Sequence, residues 1–508
     1  MAKPPLTLPI SPYAPDLPDY PAQGSANVRN VVPRTPGSYG PLNSPSVISN
    51  ALGNRCQGAA AFFDINGQVN ILAGDSTKLY RLTSGDAYSW QDVTNVTGGY
   101  NIGADQHWEF EYFNGSALAT DFSDNVQTFN LASDANFSDL SPDAPKAKHL
   151  AVIKNSFVVL GNTNDSINGN KPQRVWWSAA GDATNWPTPG SVTAAQVQSG
   201  AADLFGDDGA IQAIRGGLTA ADGLVFQQYG IRRMVYAGPP EIFAFLPAQN
   251  VRGTPAPNSP VVAGGTCYFL GFDGFYSTDG GTTQPIGANK VDKTFFNDLD
   301  VSHVDRMFGV ADPINKAIIW AYPGQGNDDG TPNRLIIYHW QLDQWTIADV
   351  TCEMLARLLG IGYTLDELFT VLGYTLDDLP APLDSAIWQG GSLVLGLFDG
   401  NHKLNYLTGT PLAATIDTSE MQPVPGRRLM ITGARPLVDG ATPSVAINHR
   451  ERLQDSLTLG PAIVLNALGI CPQRASGRYI RASITIPADD TWTNCSGVEL
   501  DAVPQGTR

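Results

Sequence analysis

The sequence predicts a mainly β protein: a β-propeller carrying an extended Pro-rich N-terminal arm, a short helical insertion and a C-terminal antiparallel β-domain. Three observations lead there. Short apolar-alternating segments, each broken by a Gly, Asn or Asp turn, recur between residues 51 and 351, about 40–60 residues apart, the range of multi-stranded blades. Gly (52) and Pro (37) are frequent without reaching a disordered composition. Ten Trp and seventeen Tyr favour strands. A β-sandwich with irregular loops is the competing architecture.

Residues 1–50 hold Pro4, Pro5, Pro9, Pro12, Pro15, Pro18, Pro21, Pro33, Pro36, Pro41 and Pro45. Proline lacks an amide donor and fixes φ, which excludes helix and central strand. The segment reads as an arm lying on other surfaces, with Tyr13, Tyr20, Val28, Val31, Val32 and Tyr39 as apolar anchors; a disordered tail is the alternative.

Residues 51–351 read as propeller-like repeats. "AAFFDINGQVNILAG" predicts a hairpin with a type I′ turn at Asn66-Gly67, and "HWEFEYFNGSALATD" predicts one at Asn114-Gly115. "HLAVIKNSFVVLGNT" turns near Asn155-Ser156, "GLVFQQYGIRRMVYAG" at Gly230 and "GTCYFLGFDGFYSTDGG" at Asp273-Gly274. "FGVADPINKAIIWAYPG" and "RLIIYHWQLDQWTIADV" complete the series.

Residues 352–384 read as a helical insertion. Thr364, Asp366 and Glu367 make a capping-box-like start that Thr375, Asp377 and Asp378 repeat, and Pro380 ends the run. These six residues are candidates for a gate or contact element, against a plain surface patch. Residues 385–410 return to strands. Residues 411–508 read as a separate β-domain, in which Ile480, Ala482, Ile484 and Ile486 alternate with Tyr479, Arg481, Ser483 and Thr485 as in a half-buried strand.

The net charge of −17 and the lack of any Lys/Arg run argue against a nucleic-acid grip, which needs a basic face. The charge is uneven: residues 421–508 carry nine Arg against seven Asp and Glu, so the acidity lies before them. The five cysteines (Cys56, Cys267, Cys352, Cys471 and Cys495) are scattered, without a C-x-x-C pair, and are expected to be reduced and mostly buried. The opening residues have no signal-like apolar core, and no apolar run approaches the ~20 residues of a membrane span. A chain without a membrane anchor, folding in a reducing compartment, is expected.

Catalytic and metal motifs are missing from the sequence. The histidines at 107, 149, 303, 339, 402 and 449 lack ligand spacing. The Asp pairs in "FGDDGAIQAIRGG" and "GNDDGTPN" do not follow the calcium-loop pattern. No nucleophile elbow, Walker loop or dinucleotide fingerprint is present. No catalytic residue, metal ligand or cofactor is assigned, and the chain is expected not to be an enzyme. Ser277, Asp279 and Gly281 in "STDGGTT" resemble the Asp-box turn of sialidase-like propellers. They are read as a structural turn, with Asp279 bonding loop amides while Gly280 and Gly281 supply positive φ. Few arginines lie between 51 and 350, and nothing in the sequence groups three of them.

Five segments, in one order across nearly the whole chain, resemble the tail-hub, or nozzle, proteins of short-tailed bacteriophages, also called packaged-DNA stabilisation proteins. They are "DYPAQGSANVRNVVPRTPGSYGPLNSPSVIS"; "PQRVWWSAAGDATNW", with Trp177, Ser178, Gly181, Asp182 and Trp186; "FDGFYSTDGGTTQPIG" running on into "QPIGANKVDKTFF"; "YTLDELFTVLGYTLDDLPAPLDSAIWQGG"; and "GRYIRASITIPADDTW", with Gly477, Arg478 and Tyr479. The resemblance implies a virion protein assembled in the bacterial cytoplasm. It implies a homo-hexameric ring below the portal-adaptor, with a tail fibre or tailspike and a tail needle or tip as further partners. The ring closes the filled capsid and conducts double-stranded DNA through its lumen at ejection without binding it tightly. An acidic chain suits a conduit, because it offers no counterion-release gain to the duplex. Arg427, Arg428, Arg450, Arg452, Arg474 and Arg478 are candidate inter-subunit or adaptor contacts. A host-glycan-binding propeller is the alternative function, and a sialidase-like glycosidase a more distant one.

Overall fold

The computed structural model describes residues 6–18, 20, 24–83, 88–249, 252–360 and 391–506. The chain is mainly β. Seven four-stranded antiparallel units follow one another. Their first strands are Gly58–Phe63, Glu109–Phe113, Lys146–Ile153, Ile211–Arg215, Val261–Ala263, Phe308–Asp312 and Met354–Leu359. Within each unit, strands adjacent in space follow in chain order, except in the last. There Met354–Leu359, Leu393–Phe398 and Lys403–Tyr406 are completed by Ser46–Ala51 from the N-terminal segment. First strands pack on one another from the first unit to the fourth, and from the fifth through the seventh back to the first. The arrangement is propeller-like.

The turns that set the hairpin registers show which sequence cues carried the right chemistry. Asn114 and Gly115 both take positive φ, the backbone a type I′ turn demands. At Asn66-Gly67 only Gly67 does. Asp64 accepts there from the amides of Asn66 and Gln68, so the chain makes an Asp-stapled turn ending in one left-handed glycine instead of the expected type I′ turn. Near Asn155 the left-handed pair is Lys154-Asn155, one residue before the expected position.

The arm does not lie on a surface. Val28–Arg29 is a central strand, parallel to Gln344–Ala348 of the sixth unit and antiparallel to Ala414–Asp417 of the terminal segment. It joins the sixth unit to Tyr479–Ile486, Ser444–Arg450 and Ile463–Val464 in one nine-stranded sheet. Leu6–Pro9, Val31–Thr35 and Ser38–Pro41 enter a second, six-stranded sheet with Leu429–Val438, Cys471–Gly477 and Cys495–Pro504. Pro33 sits in the edge strand and Pro41 only at the end of its strand, whereas Val28–Arg29 falls in a proline-free stretch. Residues 411–506 are therefore not a separate domain. Their core, with Val498 and the alternating Ile480, Ala482, Ile484 and Ile486, is continuous with Leu8, Val28 and Tyr39 of the arm and Trp320 and Trp345 of the sixth unit.

The expected helical insertion begins instead with a strand, Met354–Leu359. Both faces of "MLARLL" are buried apart from Arg357, and a short run apolar on all sides does not distinguish a buried strand from a helix. Thr364, Asp366, Glu367, Thr375, Asp377 and Asp378 lie outside the described residues. Among the described residues, helix is confined to short pieces such as Asp292–Asp298, and no helix is long and apolar enough to cross a membrane. All five cysteines are buried and free, and burial pushes every thiol pKa up.

Candidate functional site

The first strands of all seven units line a central cavity of about 450 Å³. Its charged side chains come from three strands: Glu109 and Glu111 from the second unit, Arg215 from the fourth and Arg357 from the seventh. Glu109 and Glu111 lie two residues apart on one strand and so share a face.

Their surroundings differ. Glu109 is almost fully enclosed and saturated. One oxygen faces His149 Nδ1 at 3.1 Å and Arg215 Nη1 at 3.4 Å; the other accepts from the Leu150 amide at 2.9 Å. Burial works against the charge, but His149, Arg215 and these hydrogen bonds outweigh it and hold the carboxyl well below its usual range. Burial lowers His149 in turn, so the imidazole is the neutral donor of the group and Arg215 its cation. Arg215 spends its remaining donors on the carbonyls of Pro260, Ile214 and Pro257. Glu111 has no side-chain partner among the described residues, and burial pushes it up to about 7. Arg357 is exposed to the cavity and likewise pairs with no described side chain.

A smaller pocket adjoins the cavity, lined by His107, Glu109, Asp121, Lys148, His149, Asn258 and Asp305 among others. Burial lowers His107 to about 4 and raises Asp121 to about 7. The pocket gathers no metal set: among the described residues, no group of three or more His, Cys, Asp or Glu is placed to hold an ion.

Among the described residues, none of the site candidates singled out from the sequence lines the cavity. Asp279 forms the expected turn, its Oδ1 accepting from Gly281 N at 2.8 Å and Thr282 N at 2.7 Å, with Ser277 in the preceding strand. Only Gly280 supplies positive φ there, Gly281 does not. Trp177, Ser178, Gly181, Asp182 and Trp186 form a structural knot in the third unit. Trp177 Nε1 donates to Gln198 O, Ser178 Oγ accepts from Val158 N, and Asp182 Oδ1 accepts from Thr184. Trp186 meets Trp176 edge to face.

The terminal arginines divide. Arg450 makes a bidentate pair with buried Glu420, and Arg428 and Arg478 both reach Glu451, while Gly477 precedes this arginine and Tyr479 packs edge-on against Tyr20. Arg427, Arg452 and Arg474 are exposed, and no described side chain pairs with their guanidinium groups.

Arg174, Arg215, Arg232, Arg233 and Arg306 each pair with a different carboxylate: Asp203, Glu109, Asp208, Asp222 and Asp105. No three-arginine cluster forms among the described residues. Sequence reading passed over Glu109 and Glu111, although "HWEFEYF" does carry a signal: two acids on one face of an aromatic-flanked strand.

No protein-family model matches the chain, and no curated protein matches it. Among solved structures, the chain is similar to the extracellular domain of a hybrid two-component system from B. thetaiotaomicron (10% identity, TM-score 0.42, covering 82% of this chain and 47% of that one). It is similar to PorZ, a surface component of the type-IX secretion system of Porphyromonas gingivalis (10%, 0.36, 73% and 38%). It is also similar to an exo-β-1,3-galactanase from Phanerochaete chrysosporium (9%, 0.27, 90% and 100%). The chain spans about half the length of the first of these. The functions in those names stay with those proteins, and the reading below rests on this chain's own residues.

Proposed function

We propose that the chain is a structural subunit, a tail-hub or nozzle protein of a short-tailed bacteriophage. In this reading its seven units are the blades of one closed propeller, and its copies form a homo-hexameric ring that carries DNA outward from a portal-adaptor. The observation that carries the reading is the threading of the N-terminal arm. A strand from the arm completes the seventh unit, another is sandwiched between the sixth unit and the terminal segment, and three more enter the six-stranded sheet. Chain ends shared between two β bodies make them one mechanical unit, as a conduit under internal pressure requires and a freely hinged binding module does not. Arg427, Arg452 and Arg474, exposed and with no ion-pair partner among the described residues, and a strongly acidic remainder supply complementary surfaces for a heterologous, ring-closing contact. The site chemistry supports it: Glu109, the cavity carboxyl held below its usual range, is tied up by three donors, and among the described residues the cavity has no pair of free carboxylates to cut a bond. Native mass spectrometry of the purified chain, alone and with portal and adaptor proteins, tests this. A closed multi-copy ring that joins the adaptor is expected, and a lasting monomer that never joins it overturns the reading.

A second reading, a host-glycan-binding propeller, is favoured by one specific feature. Tyr229 and Phe272 stack with centroids 5.3 Å apart on neighbouring units while each stays 48% exposed. Exposed ring faces of this kind suit sugar stacking. A glycan array with the parent chain and Y229A/F272A separates the readings: signal that the double substitution abolishes favours the second.

A further inference from the structure

We infer that the central cavity is a binding site for a small acidic saccharide, a uronic acid or a short oligosaccharide bearing one. The cavity is large enough: about 450 Å³ lies within the range of small-molecule sites, and its walls are drawn from seven strands while one side stays open for entry. Half-buried Phe62 and Phe110 and buried Phe308 and Met354 give the wall apolar surfaces on which the C–H faces of a sugar ring pack.

Two polar groups in that wall are unspent. Glu109 and Arg215 satisfy each other and their neighbours, but Glu111 and Arg357 have no side-chain partner among the described residues. A partly buried carboxyl without a partner is costly, and a pair of ligand hydroxyls removes that cost. A guanidinium with its fork free selects a carboxylate. Together with the apolar wall they ask for a ligand that carries hydroxyls, a carboxylate and an apolar ring face. The local charge permits it, because Glu109 and Arg215 cancel, burial favours the protonated form of Glu111, and Arg357 remains, although the whole chain is acidic. A neutral sugar leaves Arg357 unused, and an aryl acid leaves Glu111 unmatched.

The site binds and does not cut. Glycoside hydrolysis needs two working carboxyl groups, and Glu109 has its oxygens occupied by three donors. The inference concerns one chain and is independent of whether copies assemble.

Isothermal titration of the full chain with galacturonic acid, digalacturonic acid, galactose and benzoate tests it, with thermal unfolding run on every variant to confirm folding. The uronates are expected to bind more tightly than galactose and benzoate. Arg357→Ala is expected to weaken uronate binding about tenfold, the loss of one charge-assisted contact, and to leave galactose unchanged. Glu111→Leu should weaken the uronates and galactose alike. Absence of uronate binding to the folded parent overturns the inference. So does binding that neither substitution alters, or benzoate binding as tightly as the uronates.

Discussion

Glu109 and Glu111 are the same residue type on the same face of one strand, and they oppose each other in what they do to stability. Glu109 is held below its unfolded value, so it stabilises the fold at neutral pH, and that contribution is lost as pH falls below the ordinary carboxylate range. Glu109→Ala strands His149 and Arg215 without their partner and should cost about 3 kcal/mol in urea unfolding at neutral pH. Glu111 runs the other way. Its carboxyl rises from 4.5 to about 7, so the folded state keeps a proton the unfolded chain has released, and stability falls as pH climbs through that window. Glu111→Gln should therefore raise the melting temperature above about pH 8, by up to about 3 kcal/mol of stability, and change little near pH 4. Equal effects at both ends of the pH range would show that Glu111 acts by packing. The sequence exposed the alternation that puts both acids on one face. It could not expose the difference between them, because Arg215 and His149 approach from strands 106 and 40 residues away.

Single elements show how the arm is tied in. The helix Asp292–Asp298 begins at Val291, which cannot cap it, and the missing oxygen comes from the arm. Asp16 accepts from Lys293 N at 2.7 Å and from Thr294 N at 2.8 Å. Asp16→Ala should cost about 1 kcal/mol, like the loss of a local cap, although its partners lie 277 and 278 residues away. Val28 is fully buried between two strands of the nine-stranded sheet. Val28→Asp places a charge there without a partner and should lower the urea midpoint sharply, by about 3 kcal/mol or more. If the arm were a detachable strap, limited proteolysis would release it from the parent chain and both substitutions would be silent. Proline counting marked the arm as extended but could not say what it paired with. The "MLARLL" strand failed for a different reason: with both faces buried it had no period to read.

At the scale of the whole molecule, charge is segregated along the chain, and the fold gathers the arginine-rich terminal segment onto the sixth unit. Arg428 and Arg450 are spent on Glu451 and Glu420 inside the chain, so they are poor candidates for contacts between copies. Arg427, Arg452 and Arg474 are the ones to reverse. The triple change to Glu should leave the melting temperature within about 1 kcal/mol of the parent while reducing the multi-copy mass in native spectrometry. An unchanged mass distribution would remove these residues from any ring contact.

The sequence by itself determined that this is a β protein of repeated antiparallel hairpins, where several turns fall, that its thiols are buried and that Ile480 to Ile486 face a core. Each of these is written in local spacing or local turn chemistry, which a few adjacent residues settle. Only the tertiary structure decided that the N-terminal arm completes the seventh unit and joins the sixth to the terminal sheet, which arginines are already neutralised, and that Glu111 and Arg357 face one cavity. Those facts depend on pairings hundreds of residues apart, and backbone hydrogen bonding and burial select such partners without leaving a periodic trace in either segment alone.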